Sequence, residues 1–311
     1  MRLGIHTGYW SAGPPDGIQD AIVAADRLGV DSVWTAEAYG SDAFTPLAWW
    51  GSRTSRIRLG TAVAQLSART PTATAMAALT MDHLSGGRFV LGLGHGWNAT
   101  EFAQLGLPFP SVPQRQEALA EAVEIIRGVW GSAPFSYRGR FHATESERIL
   151  PPPRQQPGPP LILAGAGERT ALRLVARYAD ACNFGPGHAT GLARTADDVR
   201  HKNAVLDTYC REEGRAPRSV LRTHFTSWLM VAPTSDAART KLDHYYPEGI
   251  SEEQRYSRVV GAPEQVAGYY QSLADAGMGY FVVQILDATD SETIELLARE
   301  VMPAVRPRAQ S

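Results

Sequence analysis

The sequence predicts a single (β/α)8 barrel over residues 1–311, and three observations support this fold. Short apolar segments alternate with amphipathic segments eight times along the chain. Parallel strands require crossover helices, and eight right-handed crossovers in 311 residues close most naturally into a barrel. No linker separates two cores. A doubly wound open sheet is the alternative, but such a sheet usually carries a dominant nucleotide fingerprint near its N-terminus, which this sequence lacks.

The strands are predicted from short runs of apolar, β-branched and aromatic residues. The run from Phe89 to Leu93 is apolar apart from glycine, as expected for a parallel strand that is buried on both faces. The eight predicted strands are residues 2–7, 31–37, 57–63, 88–93, 161–164, 180–184, 220–231 and 280–285.

The helices are predicted from apolar residues that recur every three or four positions. The first helix has Ile18, Ile22 and Ala25 on one stripe and ends at Gly29, and a later helix begins at Pro71, where proline is favoured. A small hairpin is expected at 136–142, an extended proline-rich connector at 151–160, and a mobile polar lid at 247–260. The predicted helices are residues 17–28, 45–53, 71–84, 101–105, 113–130, 168–178, 197–213, 235–246, 263–276 and 291–301.

Composition excludes several classes of partner. Hydrophobic residues make up 44% and charged residues 20%, with a formal net charge of -2, so a nucleic-acid partner is not expected. No apolar run approaches the length of a membrane span, and we expect no signal or transit peptide. Cys182 and Cys210 lack metal-ligand spacing, and no His, Asp or Glu cluster suggests a metal. A cytosolic, disulfide-free protein that binds a small-molecule substrate is the expectation.

The carboxyl ends of the predicted strands bring the chemically useful residues to one face of the barrel. Each has a structural interpretation as well: His6 and the tryptophans could be core residues, and Glu37 could cap a neighbouring helix. In strand order the candidates are His6, Tyr9 and Trp10; Glu37, Tyr39 and Asp42; Ala62, Val63 and Gln65; His95, Trp97 and Asn98; Gly165, Ala166 and Gly167; and Asn183, Phe184 and Gly187.

Two glycine-rich turns are the strongest local signals. Gly92, Gly94 and Gly96 remove side chains where strand four ends, so a flat ring or a phosphate can approach the backbone. The segment 164–168 runs from a strand through a glycine turn into a helix, which favours a phosphate site over a plain turn. The sequence contains no Walker loop, GxSxG elbow, HExxH motif or dinucleotide fingerprint.

Five segments together resemble the luciferase-like superfamily of flavin and deazaflavin oxidoreductases, and most closely its coenzyme F420-dependent branch. They are WTAEAYGSDAFTPLAWW, SRIRLGTAVAQLSARTP, MDHLSGGRFVLGLGHGWNATEFAQLGLPF, PPLILAGAGERTALRLVARYADACN and GAPEQVAGYYQSLADAGMGYFVVQILD. The resemblance implies a (β/α)8 barrel that often forms a homodimer.

The resemblance also implies a cofactor site. It places a non-proline cis peptide, here Ala62-Val63, behind the central ring of the cofactor. The turn that contains Gly94, Gly96, Trp97 and Asn98 would line that ring, and the turn of Gly165, Ala166 and Gly167 would meet the phosphate tail. Sugar-phosphate dehydrogenases of the F420 branch carry a histidine and a glutamate where this chain has Ala38 and Trp97, so the resemblance argues against sugar-phosphate oxidation.

The resulting hypothesis is an F420-dependent oxidoreductase that transfers hydride between deazaflavin C5 and a small organic substrate with a C=C or C=N bond. His6, Glu37 and His95 are the candidate catalytic residues. One alternative is an FMN-dependent monooxygenase supplied with reduced flavin by a separate reductase. A second is a flavin-binding protein without turnover. A third, a phosphate-binding barrel enzyme of sugar metabolism, fits poorly with the scarcity of paired acid and base residues.

Overall fold

The computed structural model describes residues 1–10, 13–38, 41–131, 133–147, 151–187 and 191–306 and shows the predicted closed barrel. Its eight parallel strands pair in the order β1-β2-β3-β5-β8-β9-β10-β12, and β12 pairs with β1 to close the ring. These strands are β1 (Leu3–His6), β2 (Ser32–Thr35), β3 (Arg58–Thr61), β5 (Phe89–Gly94), β8 (Leu161–Ala164), β9 (Ala181–Phe184), β10 (Leu221–Val231) and β12 (Tyr280–Ile285).

Helices cover the outside of the barrel, and the longer ones bury an apolar stripe against the strands. They are α1 (Ile18–Leu28), α2 (Phe44–Gly51), α3 (Pro71–Leu84), α4 (Ala99–Gln104), α5 (Val112–Trp130), α6 (Ala171–Tyr178), α7 (Ala196–Glu212), α8 (Ser235–Tyr245), α9 (Glu252–Ser257), α10 (Pro263–Asp275), α11 (Ser291–Leu296) and α12 (Met302–Ala304). A π-helical turn, Leu297–Val301, joins α11 to α12. No helix in the described ranges is long and apolar enough to cross a membrane.

Large side chains fill the amino-terminal half of the barrel interior. The Trp34 indole lies so close to β1 and β3 that a Cβ at Gly60 would sit 2.2 Å from its Cε3 atom, and a Cβ at Gly4 would sit 2.4 Å from its Nε1 atom. Buried Ile162 and Tyr280 belong to the same interior cluster. Because this end of the barrel is packed, space for a ligand remains only toward the carboxyl ends of the strands.

Two segments differ from the prediction. The hairpin is longer than 136–142: β6 (Phe135–Arg138) pairs with β7 (Ala143–Ser146), and the turn between them is held by the Glu121 carboxylate, which accepts the backbone N–H groups of residues 140–142. The segment 247–260, predicted as a lid, contains α9 and most of β11 (Arg258–Gly261), which adds to β10 in parallel. The segment is polar because α9 lies at the surface. The pairing of β11 with β10 is a long-range contact, which the periodicity of the sequence does not reveal.

Candidate active site

A cavity of about 350 Å³ opens at the carboxyl ends of the strands, where barrel enzymes place their chemistry. It collects residues from β5, β8, β9 and β10, from the segments that follow β1, β2 and β3, and from α4, α5 and α6. Most of the predicted site residues line it. The lining residues are Tyr9, Ala36, Glu37, Ala38, Ala62, Val63, Gln65, Gly94, His95, Gly96, Trp97, Glu101, Gln116, Ala164, Gly165, Ala166, Gly167, Ala171, Asn183 and Phe225.

One wall of the cavity consists of small residues and backbone. The Ala62-Val63 peptide bond is cis, as the resemblance implied. A short strand, β4 (Ala64–Gln65), follows it and pairs with the end of β5. A Cβ at Gly94 would lie 2.6 Å from the Val63 Cγ2 atom, so glycine is required for this close contact. The wall therefore has no bulky side chain where a planar ring would lie against it.

His6 lies behind this wall and does not line the cavity. Its Nδ1 atom accepts the Gly8 N–H at 3.0 Å, so Nε2 carries the hydrogen and donates to the Ala62 carbonyl at 3.1 Å. The side chain is fully buried, and this burial lowers its pKa to about 4. His6 is thus a neutral residue that holds the carbonyl of the cis peptide. Both of its nitrogens are occupied, which favours the structural interpretation over a role as proton donor.

Glu37 lines the cavity but is also engaged by its neighbours. One carboxylate oxygen accepts the Gln65 N–H at 3.0 Å, and the other accepts Arg69 Nη2 at 3.0 Å. Arg69 also pairs with Asp42 at 3.2 Å, and Asp42 accepts the backbone N–H of Phe44 at the start of α2. Burial raises the pKa of Glu37, and the charge of Arg69 opposes that rise. The arrangement fixes β4 and the cis peptide beside the cavity.

His95 is the predicted histidine that lies on the cavity wall. Its Nδ1 atom is 2.7 Å from the Gly96 carbonyl, which can only accept, so Nδ1 carries the hydrogen. Burial is the main cause that lowers the pKa of this ring, and the nearby Arg115 guanidinium lowers it further. His95 is consequently neutral near pH 7, with Nε2 as its hydrogen-bond acceptor.

Two residues of the same turn lie at the edge of the cavity or outside it. Trp97 lines the mouth and leaves 65% of its surface exposed. Asn98 is not among the lining residues: its side chain accepts the Thr100 N–H at 3.0 Å and caps α4. Trp10 packs its ring 5.7 Å from Trp50, which matches the packing interpretation. Tyr39 lies outside the described residues.

The second glycine turn also reaches the cavity. Gly165 adopts a positive φ of 114°, and Gly165, Ala166 and Gly167 all line the wall just before α6. A Cβ at Gly167 would meet no atom within 4 Å, so this side of the turn is open. From behind, Lys202 donates to the Ala166 carbonyl at 3.1 Å. The predicted tail site therefore joins the small-residue wall, and together they fit an elongated cofactor with a flat ring and an anionic tail.

Three of the larger lining side chains were not among the candidates predicted from the sequence. Glu101 was assigned only to a short helix, because a charge on a helix is normally solvated. Gln116 belongs to the long helix α5, which sequence periodicity placed outside the barrel. Phe225 is an interior residue of β10, and its ring lies 5.5 Å from that of His6. No group of three metal-ligating side chains occurs in the described part of the chain.

Comparison with known proteins identifies the family of this chain. A family model described as luciferase-like monooxygenase matches residues 2–285. A Mycobacterium tuberculosis protein named as a coenzyme F420-dependent oxidoreductase is 55% identical over 130 residues, which span 42% of this chain and 37% of the relative. An F420-dependent glucose-6-phosphate dehydrogenase of Amycolatopsis mediterranei is 25% identical over 98% of this chain and 99% of its own length.

Further matches include a monooxygenase and the solved structure of another F420-dependent enzyme. A pyrimidine monooxygenase of Escherichia coli is 34% identical over 68% of this chain and 55% of its own length. The structure of a coenzyme F420-dependent tetrahydromethanopterin reductase from Methanopyrus kandleri superposes with a TM-score of 0.80 at 20% identity, covering 98% of this chain and 99% of that chain. The chain therefore belongs to the luciferase-like monooxygenase family and is an oxidoreductase.

Proposed function

We propose that this chain is a coenzyme F420-dependent oxidoreductase that transfers hydride between C5 of the deazaflavin and a small organic substrate with a C=C or C=N bond. Its family and relatives support a deazaflavin or flavin cofactor. The 55% identity over 130 residues with the relative named as F420-dependent favours the deazaflavin over FMN. When bound, this cofactor would supply a hydride, and the reaction would not require oxygen.

The observation that carries the proposal is the continuity of the small-residue wall with the open glycine turn. Ala62, Val63 and Gly94 offer a flat surface for the ring, and the turn at 165–167 offers backbone N–H groups for the tail. Tyr9 and Phe225 on the cavity wall pack beside His6 and give this part of the cavity an aromatic lining.

The charges of the cavity restrict the substrate. No Lys or Arg side chain occurs among the described lining residues, whereas Glu37 and Glu101 are carboxylates. With the turn at 165–167 taken by the cofactor tail, a phosphate ester or a dicarboxylate substrate would have neither a cationic side chain nor these N–H groups as a partner, at a high desolvation cost. We infer an uncharged or cationic organic substrate. His95, through its Nε2 acceptor, is the group on the wall that can take a proton from the substrate or return one.

Equilibrium binding of F420 and FMN, each in both redox states, tests the cofactor. We expect tighter binding of F420, and weaker binding of the deazaflavin riboside that lacks the phosphate tail. Tighter binding of reduced FMN would overturn the cofactor assignment. A matched pair of variants tests the wall: Gly94→Ala should weaken binding because its Cβ displaces Val63, whereas Gly268→Ala on α10 adds a Cβ with no atom within 4 Å and should bind normally.

An FMN-dependent monooxygenase with a separate reductase is the second candidate, favoured by the 34% identity over 219 residues with a pyrimidine monooxygenase. Turnover of reduced cofactor with unsaturated and imine substrates under nitrogen and under air separates the two. Equal rates without oxygen support hydride transfer. Rates that require oxygen, with oxygen incorporated into the product, support the monooxygenase.

A further inference from the structure

The turn that carries His95 is held from the outside by a buried arginine of α5. Arg115 leaves only 7% of its surface exposed, and its Nε atom donates to the Gly96 carbonyl at 3.1 Å. Its Nη1 atom donates to the Pro110 carbonyl, and the guanidinium carbon lies 4.1 Å from the centre of the Phe109 ring. These contacts fix Arg115 from three sides, so its bond to Gly96 is rigid.

The Gly96 carbonyl oxygen accepts two hydrogen bonds. One comes from the Arg115 Nε–H and the other from the His95 Nδ1–H, and together they use both of its lone pairs. Glycine is required at position 96, because its φ is 72° and an added Cβ would lie 2.5 Å from the Phe102 ring. The orientation of this one carbonyl thus decides which nitrogen of His95 carries the hydrogen.

We propose that Arg115 is a positioning residue that acts through the Gly96 carbonyl to hold His95 in the Nδ1–H tautomer, so that Nε2 faces the substrate as a proton acceptor. Without Arg115, the carbonyl is free to rotate toward solvent and the imidazole can exchange tautomers. This inference rests on the proposed function only for the use of Nε2 in turnover. The tautomer itself is a property of the chain without cofactor.

The charge of Arg115, like the hydrogen bonds to the Gly96 carbonyl, favours a neutral His95 ring. The Arg115 guanidinium disfavours a second positive charge on the His95 ring, in addition to the larger effect of burial, and both lower the pKa of His95. Among the described lining residues, the charged side chains are Glu37 from the segment after β2 and Glu101 from α4, and both are acidic. The positive charge of Arg115 therefore counteracts the effect of these carboxylates on the His95 ring and favours a neutral imidazole.

Nitrogen-15 NMR of the histidine side chains in the cofactor-free protein tests the tautomer, with His95→Ala used to assign the signal. We expect an unprotonated Nε2 in the wild type at neutral pH. In Arg115→Met the ring should exchange between tautomers and titrate at higher pH, and Arg115→Lys, which keeps the charge, should restore part of the titration shift. A wild-type ring with the hydrogen on Nε2 would overturn the proposal, as would an unchanged signal in a folded Arg115→Met protein.

The matched control is Arg222→Met, which removes a buried arginine at the start of β10. This arginine donates to the Val220 carbonyl and to the Asp207 carboxylate of α7. The substitution should reduce stability without altering the His95 signal. In turnover assays, Arg115→Met should lower kcat by about 10- to 100-fold and move the acidic limb of the pH profile upward, with a smaller effect on KM. If the NMR result holds and turnover is unaffected, the positioning is confirmed and the assigned use of His95 in catalysis is wrong.

Discussion

The buried neutral His6 predicts a specific loss of stability in mild acid. The unfolded chain binds a proton at this histidine near its ordinary pKa of 6.5, whereas burial lowers the pKa in the folded protein to about 4. In the pH window between these two pKa values, the unfolded state therefore binds more protons than the folded state. Stability is complete above pH 6.5 and falls as the pH drops through the window, with no further change from this group below the folded pKa.

The size of the effect follows from the two pKa values. A difference of roughly 2.5 units corresponds to about 3 kcal/mol over the whole window, of which about 2 kcal/mol is lost by about pH 5. The main cause is burial, and a charged ring would also need a hydrogen on Nδ1, which would break the bond from the Gly8 N–H. Fully buried His224 has its pKa lowered to about 4 as well and adds a loss of the same sign.

Urea unfolding of the wild type and His6→Gln at several pH values between about 7.5 and about 5 isolates the His6 contribution. The variant is expected to be less stable near neutral pH, because a flexible amide cannot serve the Gly8 N–H and the Ala62 carbonyl in the geometry of the ring, but to lose less stability on acidification. The exposed His244, changed to Gln, is the control and should keep the wild-type curve. Parallel curves for wild type and His6→Gln would refute the reasoning.

Three further outcomes can be measured. Glu121→Gln should reduce the free energy of unfolding by about 2 kcal/mol in urea titrations, because an amide cannot accept all three N–H groups of residues 140–142; an unchanged value would show that the hairpin does not depend on this carboxylate. Gly60→Ala should cost about 1–3 kcal/mol, since its Cβ would lie 2.2 Å from the Trp34 ring; a neutral result would mean that the interior repacks freely. If the expected homodimer uses the outer face of α2, where Trp49 is 62% exposed, Trp49→Glu should yield a monomer in light scattering, and a persisting dimer would place the interface elsewhere.

The sequence by itself determined the barrel. Its eight strands are continuous apolar runs such as Phe89–Leu93, and its helices carry apolar stripes with glycine or proline at their ends. These signals are local, so the eight barrel strands and the main helices were predicted within a few residues, whereas β4, α9, β11 and α12 were not. The two glycine-rich turns are visible in the sequence itself, and the resemblance to a known family located the cis peptide at Ala62-Val63.

The roles of the charged and polar site residues were decided by tertiary structure alone. Glu37 and Arg69 lie 32 positions apart, and His95 is linked to Arg115 only through a backbone carbonyl. His6 and His95 are the same residue type at the ends of two barrel strands, yet they carry opposite tautomers. The physical reason is that a tautomer and a pKa depend on the few atoms within hydrogen-bonding distance and on burial, and long-range packing brings those atoms together.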